Sequence, residues 1–513
     1  MSGDAVVKTG MRGLDEILHG GIPKGNVIVV QGETGTGKTL FGVEFIYKGI
    51  VESGEPGMIV VFETSAQKLI RDAAVMGWDL EDLQKQRKLQ IVFTSPEVLE
   101  QEVREPDSLL LETAAEIGAQ RIFVDSIGLL AGPHNGSSKD AGQGTWRELL
   151  QQFIEALTRE KLTVLLSHET GISAAAQASL EAAEFLADTV IKLGQKTRDR
   201  RVHRSIEIMK SRGQNYDGGQ HTLQIKAGSG IEVFRRVQAP LSFNIAQPTS
   251  MARRSVMGVQ ALDDLIGGGI FEGSTTMVVG LSGVGKTILG TQLLLEGARK
   301  NGQSGLLVSL DEHPAQILRN AATLGLDLHE QIDAGGIHIL FESPQELNID
   351  QHFSNIVSLV EKHHIKRLVI DGVTTYSTAL QDMLLYRDFF HALVAFSKSR
   401  LMSTFFNYEN PEFLGTSSYM PDFPVNSIVD NIILLTLVEL RNSLRHCITV
   451  VKARGSKHEF DSREYVIGQG GIQLLPVIAD ETPQLPFSAY SSVLSRAPTR
   501  FVDSKFAASP PLK

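Results

Sequence analysis

Two segments of this chain have the residue types and spacing to hold a polyphosphate. Gly32-Glu33-Thr34-Gly35-Thr36-Gly37-Lys38-Thr39 and Gly280-Leu281-Ser282-Gly283-Val284-Gly285-Lys286-Thr287 both read GxxxxGK[ST]. Each follows an apolar strand-like run and opens a helix-like one, the context this motif requires. Glycines let successive backbone N–H groups curl around phosphate oxygens, and the helix start adds the positive end of its dipole. Lys38 and Lys286 are expected to reach the β- and γ-phosphates of ATP, and Thr39 and Thr287 to ligate Mg²⁺. A carboxylate is also needed at the end of a neighbouring strand. Arg121-Ile-Phe-Val-Asp125 and Arg367-Leu-Val-Ile-Asp371 supply it, so Asp125 and Asp371 join the expected metal set.

Further carboxylates follow the apolar runs 59–62 and 306–310: Glu63 in one, Asp311 and Glu312 in the other. A carboxylate there can polarise an attacking water or hydroxyl; the alternative is an acid favoured by a helix N-terminus. Lys210-Ser211-Arg212 and Lys452-Ala453-Arg454 each put two cations on one face of a strand. A solvated edge is the ordinary reading; recurrence in both halves suggests a finger toward the γ-phosphate of a neighbouring subunit, which requires a ring.

The elements that must position these residues are written twice. Residues 14–39 and 262–287 align without a gap, 248 residues apart, and the register still holds at Gly77-Trp78-Asp79-Leu80 and Gly325-Leu326-Asp327-Leu328. A β-branched run at 27–31 and continuous apolar runs at 58–62 and 122–124 suit parallel strands buried on both faces. Helical patterns at 41–48 and 67–76 lie between them, and short strands follow Leu186. The expectation is α/β: two tandem P-loop domains, each a doubly wound, mostly parallel twisted sheet with helices on both faces. The domains are read as 1–246 and 247–482, joined through Gln247-Pro248-Thr249-Ser250, with a C-terminal tail over 483–513.

At 513 residues, with 42% apolar and 21% charged, the chain has a globular composition. Its apolar runs are too short for a membrane helix. The start lacks a basic-then-apolar leader, so a cytoplasmic location is expected. The single cysteine, Cys447, excludes an intrachain disulfide or cysteine-rich zinc module and is read as a buried strand residue. A net charge of −10 argues against a general affinity for nucleic acid.

These residues resemble the KaiC family, tandem RecA-like P-loop ATPases of the circadian clock. The resemblance covers roughly 8–505. It is carried by Gly20-Gly21-Ile22-Pro23, Arg147-Glu148-Leu149, Lys-x-Arg-Gly in both halves, Asn431-Ile432-Ile433-Leu434-Leu435, and the segment 490–500. It implies a homohexamer of two stacked rings with ATP and Mg²⁺ between subunits, and KaiB-like and KaiA-like adaptors, the latter binding near the C-terminus. The first ring would be mainly an ATPase; the second would phosphorylate and dephosphorylate a Ser-Thr pair in its own neighbour. The family's catalytic Glu pair falls on Glu63 and Thr64, and on Asp311 and Glu312. Its trans contacts fall on Lys210, Ser211, Arg212 and Gln214, and on Lys452, Ala453, Arg454, Ser456 and His458. A family histidine is Tyr216 here. The acceptor pair becomes Asn426-Ser427, leaving Ser427 as the one phosphorylation candidate. Two other readings stay open. A RecA- or DnaB-like nucleic-acid motor or recombinase is favoured only by the basic segment 196–204, itself readable as a solvated hairpin. A nucleotide-dependent scaffold with little turnover is suggested by Thr64.

Overall fold

The computed structural model describes residues 6–104, 108–128, 141–171, 173–198, 200–238, 253–410, 428–440 and 443–476. The chain divides into two compact units between Arg236 and Val237. The expected linker at 247–250, Asn426, Ser427 and the tail over 483–513 lie outside the described residues.

In the first unit the strand Val27–Gly32 is buried at every residue and sits near the middle of a nine-stranded sheet. Val27, Val29 and Ile28, Val30 face opposite sides, so helices must cover both. Parallel strands flank it: Thr163–Glu169 on one side and Thr189–Arg198 on the other. Beyond Thr163–Glu169 come Arg121–Asp125, Gly57–Val61 and Leu89–Phe93, all parallel. Beyond Thr189–Arg198 the sheet turns antiparallel through Arg201–Ser211, Gln220–Lys226 and Gly230–Phe234.

The second unit has the same strand order about Thr275–Gly280. Ser403–Glu409, Arg367–Asp371, Gly305–Ser309 and Ile337–Phe341 lie to one side, and Asn431–Leu440, Ser443–Ala453, Arg463–Gly468 and Gly471–Leu474 to the other. Cys447 is buried in Ser443–Ala453, and burial pushes its thiol up to about 11.

The structure corrects the sequence reading at two points. The strands after Leu186 are not short: Thr189–Arg198 and Arg201–Ser211 form a ladder of ten and eleven residues. Apolar alternation fades in its outer part, where Lys196 pairs with exposed His203 in an antiparallel hairpin, so hydrophobic pattern alone truncates it. The second correction concerns neighbours. Asp125 and Asp371 do not end strands adjacent to the P-loop strands, because Thr163–Glu169 and Ser403–Glu409 are inserted between. The strands leading to Glu63 and Asp311 lie a further place out.

Candidate nucleotide sites

Each P-loop leaves the carboxyl end of its central strand and enters a sixteen-residue helix, Lys38–Ser53 or Lys286–Asn301. Gly37 and Gly285, with φ of 102° and 100°, cap those helices in the left-handed region, which a side chain would resist. The Lys38 ammonium donates to the carbonyls of Gly32 and Glu33, both at 2.9 Å, and Lys286 does the same to Gly280 and Leu281 at 3.0 and 2.7 Å. Burial lowers the pKa of both lysines, opposed by Glu169 and Asp125 in the first unit and by Glu409, Asp371 and Asp311 in the second.

Thr39 Oγ1 donates to Asp125 Oδ2 at 2.6 Å, and Thr287 Oγ1 to Asp371 Oδ2 at 2.7 Å. The other aspartate oxygen is also held: Ser167 Oγ donates to Asp125, and Asn407 Nδ2 donates to Asp371 at 2.9 Å. Both oxygens of each carboxylate are thereby hydrogen-bonded, which the buried Asp371 requires and the half-buried Asp125 shares. Asp371 is still raised above its ordinary value, because burial outweighs its hydrogen bonds and Lys286.

In the second unit Ser282, Gly283, Gly285, Lys286 and Thr287 line one cavity of about 480 Å³ with Asp311, Glu312, Asp371 and Glu409. Val284 is buried beneath the loop, and its carbonyl accepts the Tyr465 hydroxyl. Asp311 accepts the Thr375 hydroxyl. Glu312 is fixed through its backbone to Ser309, and burial, then Asp371 and Asp311, raise its pKa. In the first unit Thr36 is buried, with its hydroxyl on the Glu33 carbonyl; Thr34 donates to Glu169, and Gly35 turns with φ of 82°. Glu63 is exposed in the turn before the helix Ala66–Val75, while Thr64 lines a cleft with Thr39.

Glu169 and Glu409 were missed from sequence. They end the inserted strands, and the backbone N–H of the next residue, Thr170 or Asn410, bonds the first P-loop glycine. The signal was available as Ser167-x-Glu169 and Asn407-x-Glu409 after apolar runs, but only strand order brings it to the phosphate loop.

The Lys-x-Arg pairs stand elsewhere. Lys210 Nζ donates to the carbonyls of Glu184 and Ala187, at 3.0 and 2.6 Å, and Lys452 Nζ to that of Val429 at 2.7 Å. Arg212 faces Asp188 and Arg454 faces Asp430, both at 3.6 Å. Those aspartates accept the N–H of Val27 and Thr275, the first residues of the P-loop strands. Arg212 and Arg454 are therefore level with the far end of their own central strands, about 17 Å along the sheet from the loops at ~3.3 Å per residue. Ser211 shares a hydroxyl contact with Thr189 and accepts from Gln214 at 2.9 Å; Ser456 and His458 follow Arg454 in the same turn.

A family model described as "ATPase: KaiC" matches residues 7–238 and again 256–478. The chain is 32% identical to the circadian clock oscillator protein KaiC of Picosynechococcus sp., over 97% of this chain and 93% of that protein. It is 31% identical to KaiC 1 of Synechocystis sp., with the same coverage. Against KaiC of Prochlorococcus marinus it is 31% identical, over 97% and 96%. With one P-loop fold in each matched segment and similarity running almost end to end, this chain belongs to the KaiC family of tandem RecA-type P-loop ATPases.

Proposed function

We propose that this protein is a ring ATPase that hydrolyses ATP at two sites per chain, with Mg²⁺, in the manner of a circadian-clock signalling ATPase. The observation that carries the reading is the P-loop hydroxyl bonded to a strand-end aspartate beside the loop lysine, in both halves. Those oxygens suit Mg²⁺, which takes few protein ligands and keeps water and phosphate as the rest. When bound, Mg²⁺ would offset charge on the β- and γ-phosphate oxygens. The loop N–H groups and Lys38 or Lys286 bind and orient the phosphates. Glu312, with Asp311 beside it, takes the proton of the attacking water or hydroxyl; burial raises its pKa, which suits a general base. Glu63 has that role in the first half, without an acidic neighbour.

Lys210, Ser211 and Arg212, and Lys452, Arg454, Ser456 and His458, serve ATP held by an adjacent subunit. Their distance from their own loops supports this, and a homohexamer is the ring the family suggests. KaiB-like and KaiA-like adaptors and a cytoplasmic location belong to the same reading. Among the described residues no helix is long and apolar enough to cross a membrane. The second half is also a candidate serine/threonine autokinase and autophosphatase, with Ser427 as acceptor. Arg445, a cation that could answer a phosphate on that residue, is engaged with Glu464 at 2.7 Å. The basic segment 196–204 closes a hairpin, which gives a nucleic-acid motor no further support.

The test is phosphate release by the full chain with Mg·ATP. Lys38→Ala with Lys286→Ala should abolish it; release at the parent rate would sink the reading. Label from radioactive ATP should be absent in Ser427→Ala, and undiminished label there would remove the autokinase while leaving the ATPase.

A further inference from the structure

The second half holds a buried polar run that the nucleotide chemistry does not use. The side chain of His352, on the helix Ile349–His363, is fully enclosed. Its Nδ1 lies 2.9 Å from Glu342 Oε2 and its Nε2 lies 2.8 Å from Tyr376 Oη. Glu342 follows the edge strand Ile337–Phe341, and its second oxygen accepts Asn355 Nδ2 at 2.8 Å. Burial alone would raise the Glu342 carboxyl, yet His352 and Asn355 hold it below its ordinary value. Tyr376 is wholly buried on the helix Val373–Leu380. Such a run costs more than an apolar filling unless every member is bonded, and here every member is.

The run ends beside the second site. The helix Val373–Leu380 starts from Gly372, directly after Asp371, and its first turn wraps Asp311. A Cβ on Gly372 would stand 2.2 Å from Asp311 Oδ2, and Thr375 donates to Asp311 Oδ1. Tyr376 is the next residue. A tether on Tyr376 therefore sets where Gly372 and Thr375 hold the Asp311 carboxylate. The first half lacks the acid end: aligning Phe93-Thr94-Ser95-Pro96 with Phe341-Glu342-Ser343-Pro344 puts Thr94 in the place of Glu342.

We propose that Glu342, His352 and Tyr376 are positioning residues for Asp311, and that this relay couples turnover at the second site, and not the first, to protonation of His352. The inference rests on the ATPase reading above. Hydrogen-bond direction carries the coupling. With a neutral imidazole, Nδ1–H donates to Glu342 and Nε2 accepts the Tyr376 O–H. With an imidazolium, Nε2–H donates to Tyr376 Oη, and the phenol proton must turn to another acceptor. That proton cannot simply leave, because burial, with Glu342 and Asp311 nearby, holds the phenol well above its ordinary value. Among the described residues, the titratable groups facing the relay are Glu342 from the strand end, Tyr376, and beyond it Asp311 and Tyr386. From the helix Met383–Ser399 the ring packed on His352 is Phe389, 5.9 Å between centroids, which carries no charge.

The experiment measures phosphate release by the full chain from about pH 5.5 to 9, the range a histidine switch can span. Lys286→Ala defines the second site's share. Tyr376→Phe and His352→Gln should each lower that share about tenfold, with KM for ATP within about twofold, and flatten its titration step. Hydrogen exchange at the amides of residues 372–376 reads the tether without hydrolysis. Protection there should vary with pH in the parent and be low and pH-independent in Tyr376→Phe, whose ring keeps the packing. A parent that shows this exchange pattern but releases no phosphate removes the ATPase reading and supports the relay as the tether of Asp311. An unchanged pH profile in both variants, or exchange over 372–376 indifferent to pH and to Tyr376→Phe, would overturn the relay.

Discussion

Glu44 shows how far one side chain can depart between two copies of the same fold. It lies on the first P-loop helix, 1% exposed, and accepts the Ile231 N–H at 2.8 Å. Its counterpart in the second half is Gln292, which accepts the Ile472 N–H at 2.9 Å and donates to the Gly470 carbonyl at 3.2 Å. Both staple the P-loop helix to the last hairpin of the sheet, but only one can ionise. Burial, against the Ile231 hydrogen bond and Lys48, raises Glu44 from 4.5 to about 7. The folded state thus binds its proton more tightly than the unfolded state. This contribution is fully present below about pH 4.5 and is lost as the pH rises through about 7. Glu44→Gln should therefore stabilise the first half at pH 8 by about 1–3 kcal/mol, at ~1.4 kcal/mol per pKa unit. Denaturant melts at pH 8 and pH 4.5 check this; an equal gain at both would mean that ionisation is not the cause.

At the scale of elements, the strands that deliver Asp125 and Asp371 begin with buried arginines. Arg121 donates to the Phe45 carbonyl at 3.0 Å and to Glu55 at 2.6 Å. Arg367 donates to the carbonyls of Leu293 and Val256, at 2.8 and 2.7 Å, and burial lowers it to about 10. Each guanidinium runs beneath a glycine of the P-loop helix. A Cβ on Gly297 would lie 2.4 Å from Arg367 Cδ and Nε, and one on Gly49 2.5 Å from Arg121 Nε. Gly→Ala inside a helix ordinarily stabilises by up to ~1 kcal/mol. Here Gly297→Ala and Gly49→Ala should each destabilise their own half by about 1–3 kcal/mol, through overpacking. Thermal melts give the sign directly, and a stabilised variant would show that the arginine moves aside freely. The arrangement was half legible: Arg121 and Arg367 stand at the start of the apolar runs that end in Asp125 and Asp371, but a lone arginine before an apolar run reads as a solvated end. Only the packed helix makes it a buried pillar.

For the whole molecule, the position of Arg212 and Arg454 leads to a mixing test. Chains carrying Arg212→Ala and Arg454→Ala have intact loops, and chains carrying Lys38→Ala and Lys286→Ala have intact arginines. Each alone should release little phosphate. Mixed equally and reassembled, they should recover about a quarter of the parent rate, since half the loops are intact and half of those meet an intact neighbour in a heterologous ring. Light scattering should show ATP-dependent hexamers in the same mixture. Hexamers without recovery would mean that each site is completed within its own chain.

The nucleotide loops, the duplication and the α/β class are properties of local spacing. A GxxxxGK[ST] run between a β-branched segment and a helix leaves the backbone few ways to fold, and two copies in register remove most of the rest. Asp125 and Asp371 were legible for the same reason, as acids ending apolar runs. Tertiary structure decided what local pattern cannot carry: which strands are neighbours, and which end of the sheet a residue reaches. Strand insertion brought Glu169 and Glu409 to the loops, and Ser167 and Asn407 to the strand-end aspartates Asp125 and Asp371. Antiparallel return of the late strands carried Arg212 and Arg454 to the far end of their own sheets. The Glu342–His352–Tyr376 run joins a strand end to the first turns of two different helices, 10 and 24 residues apart from one member to the next. Its members meet only because packing closes the space between them, where an unbonded polar group would be too costly to keep.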